Sequence, residues 1–206
     1  MAAAALARAV ELDTPGVTRA AAARAIDEAW ATTPDGRQIG LLPWIGIAEL
    51  ALAGAAPPAG GARLEVLRRA LQEAQIGAET PGAPLDVRGG FSFTGRAGAD
   101  APSLRAAAGL VILADLPYGS IREEAEGAAS RLAAMRFAMQ LAVRPPLSGL
   151  YRDPARALWG IRESTWNSDQ APAAQAMALL FASEMVSRRA ESAAAEASPR
   201  ADPDAR

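Results

Sequence analysis

Two stretches of this chain can be laid over each other in the same order. "RLEVLRRALQEA", Arg63 to Ala74, meets "RLAAMRFAMQLA", Arg131 to Ala142, at Arg, Leu, Arg, Ala, Gln and Ala, while Leu67 and Leu71 fall on Met135 and Met139. Further on, "GFSFTGRAGADAPSLRAAAGL", Gly90 to Leu110, meets "GIRESTWNSDQAPAAQAMALL", Gly160 to Leu180, at the opening glycine, the Ala-Pro pair, two alanines and the final leucine, without a gap. Two matches in the same order, at nearly one offset, make chance a poor explanation and point to one supersecondary unit built twice. A weaker third copy lies upstream: "RAIDEA", Arg24 to Ala29, resembles "RALQEA", Arg69 to Ala74, and leads through a shorter link into "IGLLPWIGIAELALAG".

The unit reads as helix, glycine-bearing loop, helix. Its first helices are predicted near 18–31, 62–76 and 121–143, its second helices near 42–54, 102–116 and 170–190, with a short extra helix at 2–12. About a quarter of the chain is alanine, the best helix former, and strand-favouring β-branched and aromatic residues are sparse. The expected fold is therefore all-α, three helical hairpins with long connecting loops. Residues 1–190 form one helical-repeat domain and 191–206 a disordered tail.

Local signals agree. Ser120 with Glu123 makes a capping box, Asp153 with Pro154 an N-cap and first turn, and Asp169 a cap for the last helix. Pro43, Pro102 and Pro172 stand where the second helices begin, and Arg144-Pro145-Pro146 stops the long helix. Trp30 continues the face of Ile26, so it belongs to the core. Gly109 and Gly127, inside helices, mark close helix–helix approach.

The absent residues exclude more chemistry than the present ones suggest. There is no cysteine, histidine or lysine; all 21 basic residues are arginine. Cys/His zinc sites, thiol nucleophiles, Ser-His-Asp triads, Schiff-base lysines and the P-loop lysine are excluded within this chain. Carboxylates, hydroxyls, tyrosine and arginine remain, and no cofactor is indicated. The net charge of −2 argues against a general nucleic-acid surface. No apolar run is long enough to span a membrane, and the opening "MAAAALARAV" lacks a signal-peptide pattern, so a soluble, cytoplasmic chain is expected.

"RGGFSFTGRAGADAPSLRAAAGLVIL", Arg88 to Leu113, places a Gly-Gly-Phe turn and a short acidic loop before an Ala/Leu-rich helix. This resembles the repeat of the (α/α) toroids, the superfamily of terpenoid cyclases and protein prenyltransferase β-subunits. "WGIRESTWNSDQAPAAQAMALL" and "IGLLPWIGIAELAL" read as degenerate relatives, so the likeness covers most of residues 18–190. It implies a partial toroid. It carries over no catalytic residue: the prenyltransferase zinc ligands include Cys and His, and the cyclase Asp-x-Asp-Asp motif is missing.

In such an arrangement the loops before the second helices gather at one mouth, towards which those helix N-termini point their amides. Arg88, Arg96 and Arg162, with Arg37, would add positive charge there, and Trp44, Phe91, Phe93 and Trp166 flat apolar surface; Glu163 and Asp169 complete the candidate ligand-binding set. Alternatively the aromatics plug the ring, and Arg162 pairs with Glu163 or Asp169 to tie the loop down. The leading functional reading is a non-catalytic module binding a small molecule or protein partner through this face, with open helix flanks inviting self-association. The alternative is a toroid-type enzyme acting on a carbohydrate or isoprenoid-like substrate, using carboxylates among Asp86, Asp100, Glu163 and Asp169 as acid and base.

Overall fold

The computed structural model describes residues 2–12, 14–33, 43–53, 61–92, 99–116 and 119–197. The fold is all-α: α1 (Ala2–Glu11), α2 (Arg19–Ala31), α3 (Trp44–Ala53), α4 (Gly61–Ala74), α5 (Leu104–Ile112), α6 (Ile121–Leu141), the single turn α7 (Pro154–Ala157) and α8 (Pro172–Ala197). Tight 3-10 turns flank α5 at Ala101–Ser103 and Leu113–Asp115 and extend it to the bounds expected from sequence.

Capping chemistry sets several of these ends. The Thr18 hydroxyl accepts from the Ala21 amide at 3.2 Å, and Thr32 and Thr33 close α2 by donating to the Glu28 and Ala29 carbonyls. Ser120 accepts from the Glu123 amide at 3.2 Å, while the Glu123 carboxylate reaches back to the Gly119 amide at 2.8 Å. Asp153 caps α7 with Pro154 in its first position. The Asp169 cap is not found: α8 starts at Pro172, and the Asp169 carbonyl instead accepts from the Glu163 amide at 2.7 Å. Replacing Ser120 by Ala should cost about 1 kcal/mol, because one amide at the start of α6 loses its partner. A urea melt checks this, and an unchanged midpoint would show that water replaces the hydroxyl without loss.

The core centres on α5, where Leu104 and every residue from Ala106 to Ile112 are buried. A helix small and apolar on all sides can be buried all round, and α5 touches α3, α4, α6 and α8. Contact with α3 is close: a Cβ on Gly46 would lie 2.9 Å from Ile112 Cγ2. Gly109 and Gly127 are both buried within their helices. At the other edge α1 lies across α2 and α3, burying Ala4 and Ala7. Trp30 is half-buried against the core, with the Arg63 guanidinium 5.6 Å from its ring centre. No described helix is long and apolar enough to cross a membrane.

Two loops close in the same way. After α4, Ile76 donates to Gly90 (2.8 Å), Gly89 to Ile76 (2.8 Å) and Ser92 to Ala74 (2.9 Å). After α6, Val143 donates to Gly160 (2.8 Å), Trp159 to Val143 (2.7 Å) and Arg162 to Leu141 (3.0 Å). The step before each clamping glycine is left-handed: Gly89 has φ 92° and Trp159 φ 66°. These clamps turn the chain back over the end of one helix and aim it at the start of the next.

Candidate functional site

The segment from Ala142 to Ala171 forms the loop face, and several hydrogen bonds hold it together, although the buried Arg162 Nε and Thr165 Oγ1 have no hydrogen-bond partner among the described residues. The Arg162 guanidinium forks between two carbonyls, Gln140 O at 2.6 Å and Thr165 O at 2.9 Å. It is tied down, as one sequence reading expects, but by backbone oxygens and not by Glu163 or Asp169. The Glu163 carboxylate takes the Asn167 side-chain amide at 3.0 Å, and the Asn167 backbone amide donates to Ser164 Oγ at 2.9 Å. Ser164 is buried, and its pairing with Asp100, with the Ala101 amide on the Glu163 carbonyl at 2.7 Å, joins the two loops beside α5 and α8. Gln175 of α8 holds Ile161 from both sides, accepting from its amide at 3.0 Å and donating to its carbonyl at 2.7 Å. Gly160 is packed against the Gln170 amide, which donates to Ala157 O at 3.0 Å.

The other candidate residues fall in different places. Phe91 is 2% exposed and part of the core, and Trp44 packs half-buried against it. Arg88 is half-buried, its Nε without a hydrogen-bond partner among the described residues. Phe93, Arg96 and Arg37 lie outside the described residues. Asp169 is exposed, and Trp166 is 68% exposed. Among the carboxylates weighed as acid or base, Asp100 caps the turn before α5 by accepting from the Ser103 amide at 3.2 Å, and Asp86 lies exposed in the 3-10 turn Leu85–Val87. No group of three or more carboxylates among the described residues could hold a metal ion.

Two residues on this face were not singled out from sequence. Leu150 is 82% exposed and Trp159 63% exposed, both on the loop that carries Trp166. Tyr151 anchors this part of the loop through a 3.0 Å hydrogen bond from its hydroxyl to Ser168 O. A signal for Trp159 was present. Extending the Gly90–Gly160 match one residue upstream sets Trp159 on Gly89, a tryptophan where its counterpart is glycine. A bulky residue at positive φ stores about 1–2 kcal/mol of strain. That strain is not offset by burying the ring.

Compared with protein-family models, with curated proteins and with solved structures, the chain matches none.

Proposed function

We propose that this chain is a non-catalytic binding module, three helix–loop–helix hairpins set as part of an (α/α) toroid, which engages a ligand or protein partner through its loop face. The observation that carries this reading is the display of Leu150, Trp159 and Trp166 on one loop that hydrogen bonds from Arg162 and Glu163 hold in place. Exposed tryptophan flanked by arginine is the composition of binding hot spots. Asp100 and Glu163 support the non-catalytic side, since each carboxylate is committed to a local hydrogen bond. The shared three-bond clamp and the contacts of α5 with α3 and α8 support the repeat.

The test is a thermal-shift screen of the parent against a Trp159→Ala/Trp166→Ala variant with oligosaccharides, isoprenoid diphosphates, polyanions and divalent metals. A ligand that binds only the folded state, at about 100 times its Kd, adds about 2.7 kcal/mol, or roughly 5–10 °C for a chain of this size. At least one shift should appear in the parent and vanish in the variant. Equal shifts in both for every compound would remove the loop face as the site.

A further inference from the structure

We propose that the partner of the loop face is a second copy of this chain, docked head to tail. This rests on the binding reading above and names its partner. The two ends of α6 differ in character, and at 21 residues they stand about 30 Å apart. Beyond its C-terminal end lies the loop face, where Leu150, Trp159 and Trp166 are exposed on the same loop as three exposed arginines, Arg144, Arg152 and Arg156. The carboxylates there are the exposed Asp169, the exposed Asp153, already occupied as a helix cap, and the half-buried Glu163, which holds the Asn167 side chain. At the N-terminal end of α6, Glu123, Glu124 and Glu126 are exposed; Glu123 accepts from the Gly119 amide and Glu126 holds the adjoining cation, Arg122, both at 2.8 Å, so the turn keeps a surplus of negative charge centred on Glu124. Beside them stands Ile121, 86% exposed.

The helix dipole alone favours glutamates in a first turn. It gives no reason for a bare isoleucine among them. An exposed isoleucine in an acidic helix turn complements an exposed aromatic loop with a surplus of arginine, and this chain carries both, at opposite ends of one helix. Such an interface is heterologous: each copy uses one face for the copy above and another for the copy below, so assembly is open-ended unless the rotation closes a ring. An anionic lipid surface is the less favoured occupant, because the basic surplus at this face is small and the whole chain carries a net charge of −2.

The experiment is sedimentation equilibrium of the full chain over a concentration series, at roughly 50 mM and roughly 500 mM salt. The parent should gain mass with concentration at low salt, with association about tenfold weaker at high salt. Two variants each break one surface through exposed side chains: Arg152→Glu/Arg156→Glu on the loop face and Ile121→Ser/Glu124→Arg on the other. Each alone should stay monomeric, and an equimolar mixture should form a discrete dimer, since each keeps one intact surface. A parent that stays monomeric overturns the proposal, as does association that survives both variants or a mixture that does not dimerise. So does a monomeric parent that floats with phosphatidylglycerol–phosphatidylcholine vesicles. A monomeric parent that still shows a ligand shift lost in the tryptophan variant overturns self-assembly alone and leaves the binding module standing.

Discussion

Gly89→Ala should cost at least about 3 kcal/mol, enough to unfold a large fraction of a marginally stable domain. Two effects add. At φ 92° an L-residue is strained by about 1–2 kcal/mol. The new Cβ would also lie 2.0 Å from the Ala133 carbonyl oxygen and 2.5 Å from its carbon, which are backbone atoms of α6 that cannot turn aside as a side chain would. The residue cannot retreat either, because its amide is bonded to Ile76 and its carbonyl accepts from Gln75 Nε2 at 3.1 Å. Gly82→Ala is the control: its φ of 69° carries strain, but nothing lies within 4 Å of the added carbon. That variant should lose only about 1 kcal/mol. Urea melts of the two variants separate strain from collision. If Gly89→Ala falls within about 1 kcal/mol of Gly82→Ala, α6 is not pressed against this turn as described.

Trp159 shows why the collision decides. It takes the same left-handed step in the second clamp while carrying the largest side chain there is, and its ring projects to solvent. Positive φ is tolerable in this turn when no helix backbone lies across it.

The same contrast marks how far the sequence could be read. Helix positions were legible because alanine propensity, Ser120, Asp153 and the prolines act locally, and the observed ends fall close to those expected. α8 runs on to Ala197, past the boundary expected at 190. A search for an apolar face misses this, since the sequence after Ala190 offers no such face while its alanines favour a helix by backbone propensity. The site was less legible. Exposed aromatics and buried ones look alike in a string of letters: Phe91 and Trp166 entered the same candidate set, yet one is core and the other 68% exposed. The Arg162 partners are carbonyls, and every residue has a carbonyl, so no residue pattern could announce them.

Glu49→Ala should be the second severe loss, about 3 kcal/mol. Glu49 is 6% exposed on α3 and sits 3.4 Å from Arg63 of α4, whose guanidinium also meets Asp27 of α2 at 2.9 Å and lies over Trp30. One arginine thus joins three helices. Removing the buried carboxylate leaves a largely buried cation with only a solvent-exposed partner, and breaking such a pair from one side typically costs about 3–5 kcal/mol. Asp27→Ala removes the partner whose side chain is 68% exposed, where solvent screens the charge, so it should cost no more than about 1 kcal/mol. Glu49→Leu/Arg63→Met should recover part of the loss, because it removes the buried Arg63 cation together with the carboxylate that faces it. Unfolding free energies of the set give the coupling directly. If Glu49→Ala and Asp27→Ala prove equally mild, Arg63 is held by its packing on Trp30 and by Asp27, and the buried carboxylate is not what joins α3 to α4.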